Sequence, residues 1–526
     1  MAIGISEEHI ALHEAARRWV ETHADVATAR AAMESPDDER PPFWDDLVKM
    51  GWLGLHLPAV YGGEGYGLPE LAVVLEELGR VCAPGPFLPT VMASAVIDAL
   101  GTDEQKARWL PGLADGTTLG AVALGWGMQS EKRGDDTELL GELRPVLGAA
   151  TADVLVVPLG LRGVVEWGVL EASQFRANAL PGVDTTRSVA AVEVDRQTIR
   201  RDQQLLGDDQ SGNHMRSLAA SLIAAECVGG ATWCVETAAE YAKVRVQFGR
   251  PIGQFQAVKH RCADMLLRLE QARAAAWDAA RGGSSPDEQH LAQCVAATIA
   301  GSAFFDDAKD CVQVLGGIGY TWEHDAHIFL KRALAMHQLL DTHPAFNQRI
   351  VDLALAGTRR RFTVDLPPES GEHREDVRAF LEDLRTHDRS EWNTRIADSG
   401  YLVPYWPQPW GRDAGPVEQI VIDQEFAAAR VRRPHLQVGA WVLPTLIAHG
   451  TAEQQDRWIG PTMRGEILWC QLFSEPGAGS DLASLSTRAV RVEGGWSLTG
   501  QKVWTTMAHI ADWGICLART DPDVPK

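Results

Sequence analysis

Paired cysteines are missing from this sequence. Its eight cysteines, Cys82, Cys227, Cys234, Cys262, Cys294, Cys311, Cys470 and Cys516, include no CxxC pair. Neither disulfides nor a zinc site are expected, and the thiols read as small buried hydrophobes of a reducing compartment. Positive charge is also scarce: 49 Lys and Arg stand against 71 Asp and Glu, a net charge of -22. That argues against nucleic acid or an anionic lipid surface as a partner. No stretch is expected to reach the ~18 apolar residues of a membrane span, and Met1 to Val20 already reads as a charged amphipathic helix. These absences point to the cytoplasm. What is present is ordinary globular material, 526 residues of which 45% are hydrophobic and 23% charged. That is ample for two or more cores, and it excludes a disordered or collagenous chain.

An internal repeat organises the chain. Gly101-Thr-Asp-Glu-Gln-Lys-Ala-Arg-Trp109 recurs 349 residues later as Gly450-Thr-Ala-Glu-Gln-Gln-Asp-Arg-Trp458. Gly51, Pro58 and Gly62 match Gly400, Pro407 and Gly411 at the same offset, so the register is expected to run without a gap. Each copy opens with helices: Leu12, Ala15, Ala16 and Trp19 share one face, as do Leu71, Val74, Leu75 and Leu78. Strand-like runs follow, Ala152 to Val157 and Val164 to Leu170 in the first copy, Trp496 to Leu498 and Ile515 to Ala518 in the second. Long helices return over about Met215 to Ala356, and a Pro-, Gly- and charge-rich linker separates the copies. The second copy stops within its strands. From Gly357, the offset of 349 and ten further residues in the strand region put a complete second copy's end near 716, about 190 residues past Lys526. The 526-residue chain is therefore expected to hold a cofactor poorly until extended.

In the second copy, Gln471-Leu-Phe-Ser474-Glu-Pro-Gly-Ala-Gly-Ser480-Asp481 is followed by Gly500-Gln-Lys-Val-Trp504-Thr505-Thr506. The small residues let backbone approach a planar ligand, Ser474, Ser480 and Thr506 offer hydroxyls, and Trp504 offers an aromatic wall. In the first copy, Arg245-Val-Gln-Phe248-Gly249 precedes Gln313-Val-Leu-Gly316-Gly317 by some seventy residues. An Arg suits phosphate, and a Gly pair lets main-chain N–H groups reach a pyrophosphate. Singly, these are ordinary turns, helix ends and C-caps. Together they resemble the flavin-binding signatures of the acyl-CoA dehydrogenase family.

The resemblance implies an α+β fold of that family: a helical N-terminal domain, a β-barrel-like middle domain and a C-terminal four-helix bundle, followed by a second partial copy. The boundaries expected are 1–117, 118–205 and 206–357 for the first copy, 358–372 for the linker, and 373–464 and 465–526 for the second. It also implies FAD, an acyl-CoA substrate undergoing α,β-dehydrogenation within fatty-acid β-oxidation, and electron-transfer flavoprotein as the electron acceptor. The first copy has Gly125, Trp126 and Lys132 where the second has Ser474, Glu475 and Asp481, so its ring signature is degenerate. Beyond that point the offset becomes 359, aligning Asp153 with Asp512. This division implies an intramolecular pseudo-dimer with one FAD. Ser474, Ser480, Trp504 and Thr506 would face the ring, while Arg245, Phe248, Gln313, Gly316 and Gly317 would hold the ADP end; higher homo-oligomers stay open. Counting from Lys331-Arg332, where the family has Arg-Asp, its catalytic glutamate falls on Asp341. Asp341-Thr-His-Pro344 also reads as a helix N-cap, which is the preferred reading. The family's alternative base position falls on Ala219 or Ala220, and Glu226, Glu236 and Glu240 on that helix read as hydrogen-bonded or solvated carboxylates. In a pseudo-dimer the base would lie beyond Lys526. Two other functions remain open: an acyl-CoA or nitroalkane-type oxidase on the same fold, and a non-catalytic subunit that supports an active partner.

Overall fold

A computed structural model of the protein describes residues 6–34, 40–125, 127–161, 164–205, 211–341, 345–360, 366–368, 370–521 and 524. It divides into two compact units, 1–363 and 364–526.

The first unit opens with α1 (Glu7–His23), α2 (Val26–Glu34), α3 (Trp44–Lys49), α4 (Leu68–Gly79), α5 (Phe87–Leu100) and α6 (Asp103–Ala114). Ser6 caps α1, accepting from the His9 N–H, and Ala16, Trp19 and Val20 form its buried stripe. On α4 the expected stripe of Leu71, Val74, Leu75 and Leu78 is at most 1% exposed.

Eight strands follow: β1 (Gly120–Val122), β2 (Met128–Arg133), β3 (Asp136–Leu147), β4 (Val154–Leu161), β5 (Val164–Glu171), β6 (Arg176–Leu180), β7 (Val189–Ile199) and β8 (Gln204–Leu205). They form two four-stranded sheets, ordered β1-β4-β5-β8 and β2-β3-β7-β6, where a barrel-like domain was expected. The chain leaves β1 at Val122 and resumes pairing at Met128 in the other sheet, which splits the strands into two layers. Val154 and Val156 face the helical core while Leu155 and Val157 face the core between the sheets. Both faces of β4 are buried, which is why its sequence is apolar without alternation.

The hairpin β9 (Val246–Gln247) and β10 (Arg250–Pro251) joins α7 (Ser211–Val244) to α8 (Gln256–Arg281). After α9 (Pro286–Leu315) and the short α10 (Gly317–Tyr320) come α11 (Ala326–Asp341) and α12 (Ala345–Leu355). Helices α7, α8, α9 and α11 form the bundle. One sequence expectation fails here. Within α7, His214–Val244 is long and apolar enough to cross a membrane, but 94% of its most apolar window is buried inside the protein. Over that window the helix is surrounded by α4, α5, α8, α9 and α11 and has almost no solvent face to keep polar; its exposed residues, such as Glu236, Glu240 and Lys243, fall towards its C-terminal end.

The second unit contains α13 (Ser370–Arg385), α14 (Trp392–Asp398), α15 (Pro416–Ala428), α16 (Gly439–His449) and α17 (Ala452–Met463), then β11 (Trp469–Leu472), β12 (Arg488–Val492), β13 (Gly495–Thr499) and β14 (Trp513–Cys516). Helix α13 begins inside the 358–372 stretch expected as linker. Val377, Leu381 and Leu384 bury at helical spacing, and the Glu and Arg residues upstream propagate the helix rather than interrupt it.

The repeated segments adopt the same local structure. Thr102 and Gln105 cap α6 reciprocally (3.3 and 2.9 Å), as Thr451 and Gln454 cap α17 (3.2 and 2.9 Å). Strand β1 pairs in parallel with β4, and β11 with β14. Asp153 accepts from the Leu119 N–H at 2.8 Å and Asp512 from the Leu468 N–H at 2.9 Å. The gapless register is corrected, however. A Cβ on Gly63 would collide with the carbonyls of Leu57 and Gly54, and a Cβ on Gly411 with those of Trp406 and Val403. Gly411 thus stands for Gly63, not Gly62. The offset is 348 through α4, where left-handed Cys82 matches left-handed Arg430, and returns to 349 by α6.

Candidate functional site

In the second unit, folding joins the two strings that the sequence separates by two strands. The Val503 N–H donates to the Ser474 carbonyl at 2.9 Å. Lys502 Nζ donates to the Phe473 carbonyl (2.8 Å) and to Glu475 Oε1 (2.9 Å). Glu475 also accepts from the Ser486 N–H and hydroxyl, both at 2.7 Å, and from the Thr487 N–H at 2.9 Å. These Thr487, Ser486 and Lys502 donors hold its carboxyl well below the ordinary carboxylate range. Sequence reasoning passed over Glu475 and Lys502; their signal was their place inside the two strings. They fix the loop so that Trp504 stands in solvent, 89% exposed, with a left-handed φ of +58°. Ser474 is half-buried, and Ser480 and Thr506 are exposed. Gly477 and Gly479 have no heavy atom within 4 Å of where a Cβ would stand, leaving room for a flat ligand.

In the first unit, the β9–β10 hairpin turns on two residues, Phe248 (φ +52°) and Gly249 (φ +76°). Two-residue hairpins favour turns with positive φ at both central positions, where Asn or Gly is usual. Phe248 is a costly choice there, and it is 92% exposed. Arg245 closes the same loop: its N–H bonds the Tyr241 carbonyl and its carbonyl accepts from Ile252. Its side chain is exposed and enters no ion pair among the described residues. Gln313 lies exposed on the last turn of α9, and Gly316 (φ +68°) and Gly317 each leave open space where a Cβ would stand. The pairs Arg261–Asp310 and Arg268–Asp310 set the start of α8 against the end of α9. The hairpin and the Gln313–Gly317 segment therefore share one end of the bundle.

Asp307, fully buried at that end, accepts from Arg268 Nε at 2.8 Å through one oxygen, and the other has no partner among the described residues. Burial pushes its carboxyl up to about 7 against the pull of Arg268. Because the folded value is raised above the ordinary 3.8, the proton stabilises the fold, and stability falls as pH rises from about 4 to about 7. Asp307→Asn keeps the acceptor for Arg268 without the charge. It is expected to gain about 4 kcal/mol at pH 8 and almost nothing at pH 4, read by urea denaturation. A pH-independent difference would contradict the assignment.

Asp341 is the last residue of α11, and residues 342–344 lie outside the described residues. It is not the cap of α12, which starts four residues later at Ala345. Glu226 is 2% exposed and bonded by Arg187 (2.8 Å) and Arg332 (2.7 Å); Glu236 pairs with Arg80 (2.6 Å) and Glu240 with Lys243 (2.5 Å). Lys132, at the degenerate position, is held by Glu166 (3.0 Å) and Gln204 (2.9 Å). The buried cluster of Arg332, Arg187, Glu226 and Asp184 was missed by sequence reasoning, because its members come from separate elements and carry no local pattern.

Comparison with known proteins gives these sites a family. The acyl-CoA dehydrogenase N-terminal domain model matches residues 6–117 and again 368–466, the C-terminal domain model 217–339, and the middle domain model 470–526. The acyl-CoA dehydrogenase FadE34 of Mycobacterium tuberculosis is 43% identical across 100% of this chain and 73% of its own length. The chain belongs to the acyl-CoA dehydrogenase family. It is an oxidoreductase of the kind that acts on acyl-CoA thioesters, in a family generally dependent on FAD. Among solved structures, the Tcur3481-Tcur3483 steroid ACAD is 28% identical, with a TM-score of 0.60, over 67% of this chain and 98% of its own. The ChsE4-ChsE5 complex from Mycobacterium tuberculosis shares the fold, at 24% identity and a TM-score of 0.62, over 68% of this chain and 100% of its own.

Proposed function

We propose that this acyl-CoA dehydrogenase is a tandem protein with a degenerate first copy, in which one FAD is shared between the copies. The observation that carries this reading is a matched pair of exposed aromatics in left-handed backbone, one in each unit: Phe248 in the Arg245 hairpin, at the bundle end that also carries Gly316–Gly317, and Trp504 next to Val503, which bonds the Ser474 carbonyl. A folded chain gains nothing by displaying large rings from costly backbone, so both positions read as ligand contacts. The residues present fit the group. Arg245 would take phosphate, the open backbone at Gly316 and Gly317 the pyrophosphate, and Phe248 and Gln313 the adenosine end. Ser474, Ser480 and Thr506 would bond ring heteroatoms, with Trp504 as the wall.

Bound FAD would accept the β-hydrogen of the thioester as hydride while a carboxylate takes the α-proton. The protein's part is to hold the thioester against the ring and keep water from the carbanion-like centre. Electron-transfer flavoprotein is the acceptor that family membership suggests. A steroid-bearing acyl-CoA is the first substrate to test, since a 28%-identical structure is that of a steroid ACAD. Flavin absorption of the natural polypeptide, bleached by an acyl-CoA thioester without oxygen uptake, is the expected result. A colourless protein would overturn the reading, and peroxide formation would mark an oxidase.

Asp341 is not the base in this proposal. Asp341→Asn is expected to keep most of the activity, whereas neutralising a true base costs about 10²-fold or more. Steady-state kinetics with flavin content monitored would distinguish the two.

A further inference from the structure

Between α1, α4, α7 and α8 of the first unit lies a cavity of about 250 Å³. Small apolar residues leave the space open: Ala72 and Val73 from α4, Ala225 and Val228 from α7, and Ala276 from α8. The helices cannot close over it. At Gly79 and Gly229, α4 and α7 already meet backbone to backbone, since a Cβ on either glycine would collide with the opposite helix's carbonyl. The charged groups around the space are already matched. Arg273 pairs with Glu76 at 3.2 Å and donates to Thr232 at 2.8 Å, His9 meets Glu70 at 2.8 Å, and His13 meets Glu77 at 2.9 Å. One polar group is left over. Trp277 lines the cavity, and its indole N–H is buried with no acceptor among the described residues.

We propose that this cavity is a second ligand site, for a neutral apolar molecule carrying one carbonyl or hydroxyl oxygen that accepts the Trp277 N–H. An apolar cavity of about 150 Å³ stays dry and binds benzene, so this larger one has room for a ring with a polar substituent. A charged ligand would enter apolar surroundings in which every counter-charge is already engaged, at a cost in desolvation that nothing offsets. The site is separate from the proposed ADP end. Arg273 lies seventeen residues along α8 from Gln256, about 25 Å at 1.5 Å per residue.

The test uses the full chain with two probes of similar shape, acetophenone, which has an acceptor oxygen, and ethylbenzene, which has none. Titration followed by ligand-observed NMR is expected to show saturable binding of both, acetophenone the tighter. Trp277→Phe keeps the apolar wall but removes the N–H, and is expected to weaken acetophenone about tenfold while leaving ethylbenzene unchanged. Ala276→Leu and, from the opposite wall, Ala72→Leu fill the space and are each expected to abolish binding. Circular dichroism identifies a filling variant that fails to fold, in which case the other variant and Trp277→Phe decide. No saturable binding of either probe to the wild type, or unchanged binding in a folded filling variant, would overturn the site. Equal loss of both probes in Trp277→Phe would overturn the hydrogen bond.

Discussion

Arg332→Ala is expected to destabilise the first unit by about 3–5 kcal/mol, the cost of breaking a buried ion network by removing one partner. Arg332 is 1% exposed and spends its whole guanidinium inside the fold. Nε donates to Asp184 Oδ2 (2.5 Å) and Nη1 to Glu226 Oε1 (2.7 Å), while Nη2 reaches Thr186 Oγ1 (2.5 Å) and the carbonyls of Cys82 and Ala83 (3.2 and 3.3 Å). Arg187 satisfies Glu226 from the other side. Two cations and two carboxylates therefore balance where water is excluded. Removing Arg332 leaves the Asp184 carboxylate buried against Thr186 alone and cuts the polar ties of α11 to Glu226 of α7 and to the Cys82 and Ala83 carbonyls. Burial raises the Asp184 carboxyl, but the Arg332 guanidinium and the Thr186 hydroxyl outweigh it and hold it below 3.8. For an acid whose folded value is depressed, the stabilisation is present above the unfolded value and lost as pH falls through the folded one. The gap between wild type and variant should therefore be full at neutral pH and shrink below about pH 4. Urea denaturation across that range measures it. A loss under about 1 kcal/mol at pH 7 would show that the network carries little of the stability.

Arg245→Ala in the natural polypeptide is expected to weaken FAD retention roughly tenfold to a hundredfold, since a hydrogen bond to a charged group contributes about 1.5–3 kcal/mol. Lys132→Ala is expected to leave retention unchanged. Both side chains are cations of the first unit, but their surroundings differ. Lys132 is already committed to Glu166 and Gln204, and Arg245 is exposed with no ion-pair partner among the described residues. Flavin release during dialysis, followed by absorbance, compares the two. Equal loss from both substitutions would refute the proposed division of labour between the copies.

The local patterns were legible in the sequence because each depends on neighbours within a few residues. The stripes of α1 and α4, the capping boxes at Thr102 and Thr451, and the strands at Val164 and Trp496 follow from period and propensity. So did the shift of offset to 359, since Asp153 and Asp512 each reach back to a strand N–H. The motif strings marked two loops, but not what holds them. Glu475 and Lys502 were visible as letters, and only folding made them the anchor beneath Trp504.

Tertiary structure decided everything that depends on distant groups meeting. The one-residue slip at Gly411 leaves the glycine count of both copies unchanged, and only the carbonyls crowding Gly63 and Gly411 reveal it. The apolar length of α7 has the composition of a membrane span, and five helices packed around it make it a core helix instead. Asp184, Glu226 and Arg332 lie 106 and 148 residues apart along the chain, so no periodicity could announce that they neutralise one another. By itself the sequence determined the family and the repeated N-terminal segments, because these rest on short spacings. The buried charges, the unfilled cavity beside Trp277 and the strained display of Phe248 were decided by packing, which brings together residues that share no local signal.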